Sequence, residues 1–200
     1  MKRGFKTWAE EISLRYRRAL GLKSDDDLPA RVLAQHIAEQ LHSRIIVAAP
    51  ADVPGIQNHV VESLGLNSGF SAVVVPVDHT LLVIHNPSHS APRQESDLMH
   101  EIAHLICQHP PDRIVMPLMM RTHTDEQEEE AKFLGGCLQV PRSGLINHLR
   151  QGRTIPEIAD IYGASKDLVT YRVGITGAKL QLDRYLAGRS HYNRRGGFSI

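Results

Sequence analysis

Apolar residues recur at helical spacing near the start of the chain. Phe5, Trp8, Ala9, Ile12, Tyr16, Ala19 and Leu20 share one face, and Lys6, Glu10, Glu11, Arg15 and Arg18 fill the other. Gly21 supplies a stop. After the acidic run Asp25-Asp26-Asp27, Pro29 stands near the first turn of a second helix with Val32, Leu33, Ile37 and Leu41 inward. The period then changes. Arg44–Ala48 predicts a strand, followed by a loop with Pro50, Pro54 and Gly55 and a short helix around Gln57–Leu64. Ala72–Val75 and Leu81–Ile84 predict a hairpin, and Pro76 puts one of its strands at an edge. A loop through Pro87 and Pro92 leads into a helix over Ser96–Gln108, closed by Pro110-Pro111. A long connection from Met116 to Thr124 precedes a helix from Asp125 to Val140, which Pro141 stops. Shorter helical patterns cover 143–151, 155–162, 166–175 and 179–186. The resulting expectation is an α+β domain over 1–141, a helical appendage over 142–187, and a disordered Gly- and Arg-containing tail over 188–200.

Composition narrows the class. A chain of 200 residues with 42% hydrophobic and 22% charged content is long and apolar enough to bury a core. Lys+Arg 23 against Asp+Glu 22 leaves +1, so no global field draws the protein to nucleic acid or to a membrane surface. No apolar run approaches the roughly 18 residues that span a bilayer. Two cysteines make no disulfide framework, and the opening residues carry no apolar signal core, so the expected location is the cytoplasm. Twelve histidines are the one unusual count, and they direct attention to metal or acid–base chemistry.

His100-Glu101-Ile102-Ala103-His104 concentrates that chemistry. Residues four apart on a helix lie one turn above each other, so two imidazoles there can hold one metal ion. Leu98, Ile102, Leu105 and Ile106 form the apolar stripe, leaving His100, Glu101 and His104 to face a cleft. Glu101 is placed to act as general base toward a water molecule. The motif arises by chance in roughly 4% of shuffled chains of this composition, so a third ligand is needed to give it weight. The acidic opening of the next helix offers one. Glu128 shares its face with Ala131, Gly135 and Leu138, small enough residues for close approach, whereas Glu130 lies with Leu134 and Cys137. Both remain candidates, with Glu128 preferred.

Arg93 to His104, then Glu128-x-Glu130-Ala131 and Pro141 ten positions later, resembles the ImmA/IrrE family of zinc metallo-endopeptidases. Lys132, Leu134, Gly135, Gln139 and Val140 depart from the family pattern, while the ligand types are kept. The opening helix, the strand pair, and Ile158-Ala159 with Gly163-Ala164-Ser165 are in the family's style. The resemblance implies a zincin-like core with Zn2+ held by His100, His104 and Glu128, and Glu101 as catalytic base. It also implies a protein substrate, a helix-turn-helix repressor of the XRE type. The hairpin edge around Leu81–Ile84 is a place where an extended substrate could pair by its main chain.

Other residues offer less. His123 can steady an oxyanion or simply occupy an exposed loop; His85 and His89 are separated by Pro87 and read as surface residues; Cys107 and Cys137 read as small buried thiols. Residues 155–173 have helix-turn-helix spacing, but only Lys166, Thr170 and Arg172 could reach DNA, a sparse footprint opposed by Asp167. The alternative to a peptidase is therefore a regulator, or a toxin-like protein, that binds a repressor or DNA through this segment.

Overall fold

The computed structural model describes residues 1–53, 70–110 and 123–195, with side chains as far as residue 187. Among these, eight α-helices and three strands follow in the order α1 (Phe5–Ala19), α2 (Ala30–Gln40), β1 (Arg44–Ala48), β2 (Ala72–Val77), β3 (Thr80–His85), α3 (Ala91–Ile106), α4 (Asp125–Gln139), α5 (Arg142–Arg150), α6 (Ile155–Ile161), α7 (Lys166–Thr176) and α8 (Ala178–Arg195). The mixed α+β class expected from the periodicity is present. The helix expected around Gln57–Leu64 and the connection at Met116 lie outside the described residues.

The sheet order is β1-β3-β2. β2 and β3 form the expected antiparallel hairpin, from Val77↔Thr80 to Ala72↔His85, and Asp78 takes the left-handed φ of +50° that its tight turn needs. β1 adds to the far side of β3 in parallel, from Arg44↔Thr80 to Ala48↔Ile84. This corrects the expectation for substrate pairing. Leu81–Ile84 belong to the central strand, whose main-chain groups are taken on both sides. Among the described strands β2, which carries Pro76, is the outer strand of the hairpin.

Two helices differ from their sequence patterns. α3 begins at Ala91 rather than Ser96, because Pro92 sits in its first turn, where no intrahelical donor is required. Its extra turn has a use. The Glu95 carboxylate accepts the backbone N–H of Ala30, capping α2, whose N-cap residue Pro29 has no side-chain acceptor. α2 buries a narrow stripe of Ala30, Leu33, Ala34, Ile37 and Ala38, so Val32 and Leu41 are exposed rather than inward. At the other end, α8 continues helically to Arg195, past the expected stop at Leu186 and into the tail expected to be disordered. No proline interrupts that stretch, and one Gly188 costs only about 1 kcal/mol of helix propensity.

Among the described residues, the buried ones form two clusters. One joins α1, α2, the sheet, α3 and α4; the other joins Val140 to α5, α6, α7 and Ala178. α4 ends between them at Pro141, and its last carbonyls are buried without intrahelical partners. Polar side chains of α1 and α7 satisfy them. Ser13 Oγ donates to Cys137 O (2.6 Å), Arg17 Nη2 to Gln139 O (3.2 Å) and Arg172 Nε to Val140 O (2.9 Å). Both guanidiniums are fully buried, and burial lowers the Arg17 pKa to about 10. Arg172 also donates to Glu10 (2.5 Å), so it is a structural cation and cannot contact DNA as the helix-turn-helix reading required.

His148 in the second cluster gives a pH prediction. Its Nε2 lies 3.1 Å from the Asp25 carbonyl and its Nδ1 3.1 Å from Arg153 Nη1, so the neutral ring donates to one and accepts from the other. Burial, and then Arg153, hold its pKa below the ordinary 6.5. A depressed imidazole pKa means the unfolded chain takes up the proton first. The stability from neutral His148 is therefore complete above about pH 6.5 and lost as pH falls through the lower folded value. Melting temperature measured against pH should fall below 6.5 in the wild type and fall less steeply in His148→Gln. Identical slopes in the two proteins count against this account.

Candidate metal centre

α3 and α4 approach closely where the site is built. A Cβ placed on Gly135 would stand 3.2 Å from Met99 O and 3.3 Å from His100 N and Cα, tighter than nearly all such contacts. Glycine therefore lets α4 lie against the turn that carries His100. The N-terminus of α4 is fixed by a capping box, in which Gln127 N donates to Thr124 Oγ1 (3.3 Å) and Thr124 N to Gln127 Oε1 (2.9 Å). Asp125, Glu126 and Glu128 occupy its first turn, where the helix dipole favours carboxylates.

That geometry delivers Glu128 to the two histidines. His100 Nε2 and His104 Nε2 are 3.1 Å apart. Glu128 Oε2 is 3.2 Å from His100 Nε2, and Glu128 Oε1 is 3.5 Å from His104 Nε2. A tetrahedral zinc site with ligands at about 2.0–2.1 Å has donor–donor edges of about 3.3–3.4 Å. The three spacings bracket that length, and the set of two neutral nitrogens and one carboxylate oxygen suits a divalent ion with an open fourth position. These residues fit a metal.

Glu101 is buried on the same helix, and it lines a small cleft with Val74, His104, Leu105, His109, Pro110 and His123. Val74 comes from β2, so the sheet adjoins the site. His123 is not the exposed loop residue that its position suggested. Its side chain is 4% exposed, its ring stacks on His104 at 4.0 Å and 17°, and its Nδ1 is 3.3 Å from Glu128 Oε1. Its Nε2 donates to Pro110 O (2.8 Å), which ties the start of α4 to the end of α3.

Glu130, the competing carboxylate, faces elsewhere. It is buried, with Oε2 3.3 Å from His109 Nε2 and Oε1 accepting Lys2 N (3.3 Å). His109 in turn places Nδ1 3.0 Å from His104 Nδ1. The thiols also stay apart from the cluster. Burial pushes Cys107 up to about 12 and Cys137 higher still, and neither joins the three-residue group. His85 is buried and accepts from Arg31 Nη2 (3.1 Å), while His89 Nδ1 contacts Asp97 (2.8 Å); neither is the surface residue expected.

The model of the IrrE N-terminal-like domain, a peptidase family, matches residues 61–173, more than half of the 200-residue chain. This protein belongs to that family. Neither the curated proteins nor the solved structures contain a match. The ImmA/IrrE resemblance drawn from the His-Glu-x-x-His and Glu-x-Glu-Ala segments is thereby borne out, and the chain is assigned to the peptidases. The matched span holds every residue of the cluster together with α5, α6 and most of α7.

Within this IrrE-like domain the structure brings together His100, His104 and Glu128, sets Glu101 in the adjoining cleft, and directs Glu130 to His109. Sequence reasoning missed His109. Its signal was present: it lies five residues beyond His104, where the helix pattern ends, in a chain unusually rich in histidine.

Proposed function

We propose that the protein is a cytoplasmic zinc-dependent endopeptidase whose substrate is a partner protein, a helix-turn-helix repressor of the XRE type. The observation that supports it is the spacing of the three donor atoms of His100, His104 and Glu128, on a chain of a peptidase family. When bound there, zinc supplies Lewis acidity, polarising a carbonyl and lowering the pKa of water toward about 7. The chain's own groups do the rest. Glu101 takes a proton from the attacking water at a carboxylate oxygen, as the water oxygen bonds to the peptide carbon. When the carbon–nitrogen bond breaks, Glu101 returns that proton to the leaving amine. β2, whose Val74 reaches the cleft, is the described strand placed for main-chain pairing with an extended substrate.

Metal analysis of purified protein tests the reading. The expected result is about one zinc per chain in wild type, lost in both His104→Ala and Glu128→Ala. Loss in His104→Ala alone would move the third ligand away from Glu128. Folded wild type that takes up no zinc sinks the proposal. The substrate assignment is tested separately, by zinc-dependent cutting of a co-expressed repressor that a chelator stops. Burial of Arg172 weakens the rival DNA-binding reading, because it removes one of the few cations that reading had.

A further inference from the structure

α3 ends in an unusual turn that serves the site. Gln108, past the last helical residue, has a φ of +56°, a region that a non-glycine residue seldom adopts. Its N–H bonds to Leu105 O (3.1 Å) and the next N–H, of His109, bonds back to His104 O (3.0 Å). That pair of bonds reverses the chain over the end of the helix, the arrangement usually made with glycine. The consequence is that His109, five residues on, returns to lie beside His104 with ring centroids 5.0 Å apart.

The ring nitrogens then make a directed series. His104 Nδ1 is 3.0 Å from His109 Nδ1, and His109 Nε2 is 3.3 Å from Glu130 Oε2. A neutral imidazole has one donor and one acceptor nitrogen. If His104 presents its Nε2 lone pair toward Glu128 and His100, its proton is on Nδ1 and must be donated. His109 Nδ1 then accepts, and His109 donates from Nε2 to the carboxylate. The His109 and Glu130 side chains are each 7% exposed, so water does not substitute readily for either.

We infer that His109 and Glu130 are positioning residues that orient His104 and fix its tautomer for metal binding, with Glu130 acting through His109 rather than as a ligand. Ligating histidines that donate their other N–H to a carboxylate bind metal more strongly, because the ring is held in place and made more basic. Here a second imidazole is interposed between the ligand and the carboxylate. The inference rests on the proposed metallopeptidase reading, and it adds a role for the glutamate that the sequence left as a rival ligand.

The test is zinc affinity, measured by competition with a chromophoric chelator on the full chain. His109→Phe and Glu130→Gln should each bind zinc about 10- to 100-fold more weakly than wild type while keeping one site per chain. Glu129→Gln, a neighbour 66% exposed, should bind as wild type does. Affinities of folded His109→Phe and Glu130→Gln equal to wild type would overturn the inference while leaving the zinc site standing. Complete loss of zinc in Glu130→Gln with retention in Glu128→Ala would overturn it in favour of Glu130 as ligand. Wild type without zinc would remove the inference together with the reading beneath it. Should His109→Phe fail to fold, imidazole NMR of zinc-loaded wild type decides the matter. Protons on His104 Nδ1 and His109 Nε2 are expected, and a His109 proton on Nδ1 would overturn it.

Discussion

Glu101→Gln should reduce peptide-bond hydrolysis by about 100- to 10,000-fold while the protein retains its metal. The substitution keeps the size and planarity of the side chain and removes only its ability to take a proton. Glu101 is 3% exposed, inside the cleft that also contains His104, His109 and His123, so the replacement amide has room for the same shape and little else. It adjoins His100 in sequence but is absent from the group of residues whose donor atoms converge. Metal content should therefore stay at the wild-type value. The discriminating measurement is turnover and zinc content on the same preparation. Loss of both would make Glu101 a contributor to metal binding. Undiminished turnover would transfer the proton-carrying role to another group of the cleft, of which His123 is the candidate with its ring against His104.

The second large effect concerns stability. Gly144 on α5 lies so close to the loop before α2 that a Cβ there would collide with the Ser24 carbonyl and the Tyr162 hydroxyl. Those two atoms are themselves joined, Tyr162 Oη donating to Ser24 O (3.0 Å), so neither can withdraw without breaking the bond between them. Tyr162 is fully buried at the centre of the second cluster. Gly144→Ala should destabilise by about 3 kcal/mol or more through overpacking. For a chain of this size that corresponds to a melting temperature lower by roughly 6–12 °C. Gly174→Ala provides the contrast. It lies within α7 with nothing near its missing Cβ, and should stabilise by about 0.5–1 kcal/mol by restricting the unfolded chain. Opposite signs for the same chemical change at two helical glycines would show that packing, not propensity, governs the first. A Gly144→Ala protein that melts with wild type would show that this contact yields at little cost.

Some of this was legible because it depends on local spacing. Residues four apart on a helix share a face whatever surrounds them, so His100 and His104 declared themselves as a pair. Two apolar runs rich in β-branched residues marked the hairpin, and the small Ala131 and Gly135 on the Glu128 face signalled a close approach. That small-residue face favoured Glu128 over Glu130 as the third ligand without deciding between them. Both lie on the same turn of helix, and only the rotation of α4 against α3 decides which carboxylate meets the histidines. That rotation is set by Gly135 against the backbone of His100.

Other outcomes were hidden for related reasons. Arg172 looked like a surface cation because charge is normally exposed. It is buried because α4 ends inside the protein and leaves a carbonyl that needs a donor. β3 looked like a hairpin edge because pairing partners distant in sequence leave no local mark. β1, more than 30 residues earlier, occupies its other side. His109 and His123 belonged to no periodic pattern and became site residues only when a turn and a cap folded them onto His104.

The sequence by itself determined the elements, the α+β class, the peptidase family and the pair of histidines with the glutamate between them. The elements, the class and the histidine pair follow from side-chain order along a helix or strand, where neighbours are dictated by the repeat of the backbone; the family came from a resemblance of motifs that the family model bears out. Tertiary structure alone decided which further histidines surround the cluster, which hairpin strand is central and which cations are buried. Those depend on contacts between segments far apart in the chain, and close packing, cap geometry and the demand of buried carbonyls for donors select among arrangements that local periodicity leaves equivalent.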